Sequence, residues 1–550
     1  MKKDITMKKS SFLTGTFITT LGILLSKILG ALYVVPFHAI IGEKGGALYG
    51  YAYTIYTGFL SLSTAGIPLA ISRVVSEYRT LGYQNAKNQA FVLGKRIAQI
   101  LGLICFFLVF VLAPFLAKAI LGDVVGGNTV QDITFVIRVI GTAFLIVPIL
   151  SVYRGFFEGH RFFSASSISQ VLEQLIRVSI IIFGSFLFLK VFHFDLTSCV
   201  GIALFGATVG AFSSYIYLFL KRLKNKNKFQ KTYHPVNEPI ITNKVIIRKI
   251  FYYAIPFILI DLFKSFYSYS DMLTLVKILV QKASFSPMEA ETIYSIFSTW
   301  AQKFNMIVLA ISSGIIVSLI PNLTENLIKE EKQQIHKRIV QGLNVLLYLT
   351  VPLTLGISFL AKPIWNLFYG SSIYGPNILS YYIFVGLFIS LFTFTIIVLQ
   401  SLKDFRVVFI SLLVGVLLKV FLNSKLLLAF YQMRFPAYYG AITATIIGYF
   451  TSFFICLIVL QKKYSISFEL VIKNFIDIMC SSILMIVCLV IIRLFIPFSS
   501  SVRIYNFCFI IIYTVIGMCI YFSYSNFCGL TKRIFGNDLL FTLKKMFLKK

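Results

Sequence analysis

Arg154-Gly155-Phe156-Phe157-Glu158-Gly159-His160-Arg161, continued by Ser166-Ser167-Ile168-Ser169-Gln170-Val171-Leu172-Glu173-Gln174-Leu175-Ile176-Arg177, reads as a short basic turn leading into an apolar run that opens on a polar stripe. Ser166, Gln170, Glu173 and Arg177 recur at three- and four-residue spacing, so a helix places them on one face. The run that carries them is otherwise apolar enough to cross a bilayer. Ionised side chains inside a membrane helix are costly and turn toward a partner or a wet cavity. The stretch is therefore read as one wall of a polar interior in an integral membrane protein.

Composition agrees. The chain has 550 residues, of which 58% are hydrophobic and only 13% charged, and its mean hydropathy is +0.86. An ordinary soluble domain is excluded on those values. Its 56 Phe and 30 Tyr suit lipid-facing helices and interfacial belts. A net charge of +31 raises the question of nucleic acid. However, Lys and Arg gather in short segments between alternate apolar runs, which is the positive-inside pattern, and no nucleic-acid partner is expected. The cysteines lie mostly inside apolar runs and form no C-x-x-C pair, so they read as small buried hydrophobes. The histidines form no H-E-x-x-H pattern, and no Walker loop is present. No metal, cofactor or catalytic chemistry is expected. The first apolar run is too long for a cleavable signal peptide.

A span needs about 20 apolar residues to cross ~30 Å of hydrocarbon. That rule gives fourteen spans, near 13–37, 48–73, 94–117, 132–153, 166–189, 196–220, 250–276, 291–320, 339–361, 378–400, 407–430, 438–461, 474–496 and 504–525. The segments holding Lys8 and Lys9, Lys95 and Arg96, Arg154 and Arg161, Lys337 and Arg338, Lys403 and Arg406, and Lys462 and Lys463 are assigned to the cytoplasm. The intervening loops carry Glu43, Asp123, Asp132, Asp195 and Glu289. Both termini are then cytoplasmic. The expected organisation is an N-terminal lobe at 1–220, a basic cytoplasmic linker at 221–249, a C-terminal lobe at 250–461, two extra spans at 462–525 and a basic tail at 526–550. The linker could also touch anionic lipid headgroups. Gly66-Ile67 with Ser76-Glu77, and Gly314-Ile315 with Thr324-Glu325, stand at the same spacing in the two halves. They suggest a parallel internal repeat.

The cations singled out inside the spans are Lys27, Arg138, Arg177, Lys264, Lys303 and Lys419, and the acids are Glu173, Asp261 and Asp271. Glu173 with Arg177 and Asp261 with Lys264 are spaced to pair on one helix. The remaining excess of positive charge calls for a hydrated cationic cavity. Further polar stripes support it: Asp261, Ser265, Ser268 and Asp271 in span seven; Ser295, Ser298, Gln302 and Asn305 in span eight; Gly415, Lys419 and Asn423 in span eleven. Each cation also has a structural reading, as a snorkelling anchor, an intrahelical pair or a helix–helix contact. Cations select anions, and a pyrophosphate suits Lys and Arg well. An exporter of cationic drugs would be expected to show the reverse balance.

The stretch from Arg154 to Arg177 resembles the R-G-x-x-Q-G … I-S-Q-V-x-E-Q-x-x-R pattern of Gram-positive polysaccharide-biosynthesis membrane proteins. Ala65-Gly66-Ile67-Pro68-Leu69-Ala70-Ile71-Ser72 with Ser76-Glu77-Tyr78 is similar to a second stretch of that group, the lipid II flippases and their relatives in the multidrug/oligosaccharidyl-lipid/polysaccharide exporter superfamily. The resemblance implies an all-α membrane fold of two six-helix lobes in a V, with spans thirteen and fourteen forming a lipid groove. It implies a flippase, not an enzyme, in the cell membrane. The flippase would move an undecaprenyl-pyrophosphate-linked sugar, first among them lipid II, to the outer leaflet by alternating access. Lys27, Lys264 and Lys303 would bind the diphosphate, with Arg177 and Lys419 secondary. Glu173, Gln170, Asp261, Asp271 and Gln302 would be polar cavity groups that could couple an ion. Two positions depart from the pattern: Trp300 stands where arginine is expected, and Glu158 replaces glutamine. The partners implied are the anionic lipid-linked sugar, anionic membrane lipids and cell-wall synthesis proteins, with the chain acting as a monomer. Alternatives are a flippase for another lipid-linked polysaccharide unit, a cation-coupled drug exporter, and a non-transporting envelope scaffold.

Overall fold

A computed structural model describes residues 26, 29–30, 33–64, 66–230, 238–328, 331–498 and 502–535. Among these residues all regular structure is helical. In chain order the helices are α1 Val34–Thr64, α2 Ile67–Thr80, α3 Gln84–Leu121, α4 Val130–Gly141, α5 Val147–Gly159, α6 Phe163–Ser179, α7 Leu196–Lys224, α8 Lys226–Gln230, α9 Asn243–Lys282 and α10 Pro287–Ser295. They continue with α11 Gln302–Ile328, α12 Lys332–Phe359, α13 Ala361–Tyr369, α14 Gly375–Ser401, α15 Phe405–Gln432, α16 Tyr438–Tyr464, α17 Glu469–Phe495, α18 Arg503–Phe527 and α19 Leu530–Phe535.

Among the described residues, eleven helical stretches are long and apolar enough to cross a membrane, and each overlaps one of the expected spans. The other three differ. Most of span one lies outside the described residues. Span seven falls within α9, a continuous helix of 40 residues. Span eight is interrupted: α10 ends in a π-helical turn at Ile296–Trp300, and α11 begins at Gln302. The chain divides into two compact units, Met1–Thr299 and Trp300–Lys550.

In the first unit the two motif stretches lie against each other. Gly155 and Gly159, one turn apart on α5, rest on the backbone of α2. A Cβ at Gly155 would come within 2.4 Å of the Pro68 carbonyl oxygen, and one at Gly159 within 2.8 Å of that of Ser72. Small residues at this spacing let membrane helices approach backbone to backbone. Gly206 and Gly210 do the same for α7 on α6, where a Cβ would meet the carbonyls of Arg177 at 3.1 Å and Glu173 at 2.7 Å. Gly66 enters α2 with φ 73°, pressed against the Ala254 carbonyl of α9. Only glycine accommodates both that backbone angle and that approach.

Several helix starts use the acids of the loops before them. Thr129 and Asp132 form a reciprocal capping box on α4, as do Ser286 and Glu289 on α10. Asp195 caps α7 through the Ser198 amide at 3.3 Å, and hydrogen bonding from Ser198 holds its carboxyl below the ordinary value.

The short helix α8 is fixed to the first unit by Phe229. Its ring sits within 5.0–5.5 Å of the rings of Phe156, Phe157, His160 and Phe162. Its carbonyl accepts from the fully buried Lys87 ammonium at 2.6 Å. Farther along the linker, Glu238 accepts from the Asn85 and Ala86 amides at the start of α3. The two carboxyl oxygens thereby take up donors that a helix N-terminus leaves unpaired.

In the second unit α15 and α16 pack closely through Gly440, where a Cβ would fall 2.4 Å from the Leu426 carbonyl. α12 meets α18 through the Tyr521 hydroxyl, which donates to the Tyr348 carbonyl at 2.9 Å. Asp404, just before α15, accepts from Lys463 at 2.6 Å and Tyr464 at 3.1 Å. Burial pushes the Asp404 carboxyl up, but these hydrogen bonds outweigh it and hold the group below its ordinary value.

Candidate functional site

The polar stripe of α6 forms part of a cavity of about 320 Å³ inside the first unit. Glu173 is its electrostatic centre. One carboxyl oxygen accepts from Arg177 Nη2 at 2.6 Å, the other from Arg154 Nη2 at 2.8 Å. Arg154 reaches across from α5, where its Nε also donates to Ser169 Oγ at 2.9 Å. Ser214 of α7 lies 3.3 Å from Arg154 Nη2 and donates in turn to the Ser169 carbonyl at 2.7 Å. The close seating of α7 on α6 through Gly206 and Gly210 brings Ser214 into this range. All three charged side chains are 13–17% exposed. Glu173 holds both guanidinium groups, so withdrawing it would leave two buried cations without their carboxylate.

Glu158, one turn beyond Arg154, accepts from Ser166 at 2.6 Å. Gln170, Tyr53 and Tyr56 complete the polar and aromatic lining. Tyr49 stacks on Tyr53 at 5.6 Å with the rings 11° from parallel, and Tyr56 lies 5.7 Å from Tyr53.

The expected site residues separate into groups. Gln170, Glu173 and Arg177 come together in this cavity. Asp261 and Lys264 pair on α9 at 3.7 Å, with side chains 49% and 34% exposed. Ser265 bonds back to the Asp261 carbonyl, and Asp271 is half-buried farther along α9. Gln302 is exposed and Lys303 half-buried at the start of α11, just past the π turn. Lys419 is fully buried; its ammonium donates to Asn423 Oδ1 at 2.9 Å and to the Ala441 carbonyl of α16 at 3.0 Å. Arg138 donates to the Phe110 carbonyl at 3.3 Å and lies over the Phe110 ring. Lys27 lies outside the described residues.

The stripe of span eight divides at the π turn. Ser295 donates to Glu43 and Thr299 to the Gly46 carbonyl, both on α1. Asn305 is buried against Gly386 of α14. Trp300, where arginine was expected, is fully buried and 5.7 Å from the Tyr369 ring, and its carbonyl accepts from the Tyr369 hydroxyl. The position is occupied by packing rather than by a cation.

Arg154, Glu158, Tyr53 and Tyr56 were not singled out as site residues. The hydropathy rule ends span four at residue 153, and so reads Arg154 as a loop cation. The helix in fact runs on to Gly159 and turns only at His160 and Arg161. Continuing the helical spacing past Arg154 would have placed Arg154 and Glu158 one turn apart, facing the stripe of α6.

Residues 12–327 match the family model described as polysaccharide biosynthesis protein. The chain is 33% identical over 472 residues to the lipid II flippase MurJ of Bacillus subtilis strain 168, covering 84% of this chain and 85% of that protein. A solved structure of lipid II flippase MurJ in an inward closed conformation superposes with a TM-score of 0.68 at 14% identity, covering 95% of this chain and all of the other. An inward-facing multidrug resistance MATE transporter superposes with a TM-score of 0.61 at 13% identity, over 84% of this chain and 96% of that one. At those identities the superpositions speak for the fold alone, an all-helical fold like that of these two solved structures. The sequence match over most of the chain speaks for kinship: this chain belongs to the polysaccharide biosynthesis protein family, together with the lipid II flippase MurJ of Bacillus subtilis.

Proposed function

We propose that this chain is a flippase that carries an undecaprenyl-pyrophosphate-linked sugar, lipid II first among them, from the inner to the outer leaflet of the bacterial cell membrane. The observation that carries the reading is the 33% identity to a lipid II flippase over 84% of the chain. The cavity walled by Arg154, Glu173 and Arg177 supports it, because polar groups kept inside a membrane protein mark a substrate or ion path.

The proposal includes fourteen spans with both termini cytoplasmic: lobes at 1–220 and 250–461, the basic linker at 221–249, and two further spans at 462–525 that take the polyprenyl tail. The diphosphate falls to Lys264 and Lys303, with Lys27. Arg177 and Lys419 act behind them, Arg177 through Glu173 and Lys419 by tying α15 to α16. Transport proceeds by a shift between inward-open and outward-open populations, driven by differential affinity for the substrate. Asp261 and Asp271 are the acids available to link that shift to a cation. The chain acts as a monomer, with anionic lipids and cell-wall synthesis proteins around it.

The test is a cell in which this chain is the only flippase. Lipid II reaching the outer leaflet is measured with a label that reacts only outside. Outer-leaflet lipid II should appear with the wild-type chain and fall with Lys264→Ala and with Lys303→Ala. Its absence with the wild-type chain normally inserted would overturn the reading.

A further inference from the structure

Within that reading, the cavity of the first unit is the wrong place for a diphosphate. Its lining holds two guanidinium groups and two carboxyl groups, and these balance formally. Both arginines are already engaged with the same carboxylate, at 2.6 and 2.8 Å. A pyrophosphate would have to compete with Glu173 for both, and would be repelled by it and by Glu158. What the cavity offers instead is a balanced set of donors and acceptors beside aromatic faces. Gln170 lines it with an amide that makes no protein hydrogen bond among the described residues. The carboxylate of Glu173 retains lone pairs beyond its two arginine bonds. Tyr53 and Tyr56 line it as well. Apolar walls with a few placed polar groups, at the small end of ligand pockets of roughly 300–1,000 Å³, suit a compact uncharged ligand.

We infer that the cavity formed by Tyr53, Tyr56, Arg154, Gln170, Glu173 and Arg177 binds an uncharged glycosyl unit of the lipid-linked substrate, the C–H faces of the ring lying on the tyrosines and its hydroxyl and amide groups bonding to Gln170 and the ion group. The diphosphate is held elsewhere. The first unit thus selects the sugar, while the lysines proposed above hold the phosphates. This assignment rests on the flippase reading, yet it can fail while that reading stands.

Two probes separate the cases on the purified full-length chain in lipid nanodiscs. One is a soluble disaccharide of N-acetylated hexoses without lipid or phosphate. The other is a short-chain prenyl diphosphate without sugar. Tyr53→Leu and Gln170→Ala should each weaken disaccharide binding by about fivefold or more, and leave prenyl-diphosphate binding within about twofold of wild type. Lys264→Ala should do the reverse. Thermal melting of each variant confirms that it is folded, and Gln170→Glu, which keeps size while adding charge, serves if Gln170→Ala is unstable. The inference is overturned if folded Tyr53→Leu and Gln170→Ala bind the disaccharide like wild type, if they lose the prenyl diphosphate equally, or if the wild-type chain translocates lipid II but shows no disaccharide binding. A wild-type chain that binds neither probe and moves no lipid II overturns the flippase reading as well.

Discussion

Removing Glu173 should cost more than removing either arginine that it holds. Glu173→Gln preserves the side-chain volume but leaves Arg154 and Arg177 facing each other across an amide that can accept only through its single carbonyl oxygen. Breaking a buried ion group by deleting one partner typically costs ~3–5 kcal/mol. The side chains are 13–17% exposed, so the lower end, about 3 kcal/mol, is expected here. Arg154→Met and Arg177→Met each remove one charge-assisted bond while leaving Glu173 paired, which corresponds to ~1.5–3 kcal/mol. The double variant Glu173→Gln with Arg177→Met leaves one cation instead of two and should regain part of the loss. The assay is reversible unfolding in mixed micelles, with a double-mutant cycle between positions 173 and 177. Glu173→Gln at wild-type stability, or a double variant less stable than either single one, would refute the picture of two cations held by one carboxylate.

Four further outcomes follow from other parts of the structure. Lys87→Met removes the charged donor to the Phe229 carbonyl; a loss of about 2 kcal/mol there should raise amide exchange in Lys226–Gln230 by roughly 10- to 30-fold, measured by hydrogen exchange. Gly155→Ala sets a Cβ 2.4 Å from the Pro68 carbonyl and should destabilise by ~1–3 kcal/mol, seen as a lower melting temperature. Asp404 is held below its ordinary 3.8 by Lys463 and Tyr464, so its contribution to stability is present above that value and lost as pH falls through the folded pKa. The stability gap between wild type and Asp404→Asn should therefore be full at pH 7 and close in acid, as read from unfolding at stepped pH. Asp261→Asn releases Lys264 from its 3.7 Å partner and should strengthen prenyl-diphosphate binding by about two- to fivefold, measured by titration.

The helical membrane architecture was legible because hydropathy acts over about twenty residues, and eleven of the expected spans coincide with helices of spanning length. The pairing of Glu173 with Arg177 was legible because four-residue spacing fixes neighbours on one helix. Arg154 escaped for the opposite reason. Its bond to Glu173 joins residues on different helices, and no periodicity within either reports it. Around it, Gly155 and Gly159 seat α5 on α2, and Gly206 and Gly210 seat α7 on α6. The seating of Ser214 beside Arg154, which follows from the close approach at Gly206 and Gly210, appears only in three dimensions. Trp300 illustrates the same limit: a position can match a family's register yet be claimed by a local aromatic cluster with Tyr369.

The count of charges in the spans overstated what is available to a ligand, and the geometry supplies the ranking. A cation can serve an arriving phosphate only at the cost of its present bonds. Arg177 stands in a largely buried ion group at 2.6 Å, where separation costs several kcal/mol by the scale used above. Lys419 is fully buried between α15 and α16, bonded to Asn423 and to the Ala441 carbonyl. Moving it breaks two buried charge-assisted bonds, each worth ~1.5–3 kcal/mol. Lys264 differs: its partner is 3.7 Å away and half exposed, and exposed pairs of that kind are worth ~0–1 kcal/mol. The weakest pair is thus the most exchangeable. A diphosphate that takes Lys264 from Asp261 gives up little, and leaves on the same helix a carboxylate open to a cation. Binding of substrate and uptake of a cation would then be linked through one lysine on α9, with no need for a large fixed excess of positive charge.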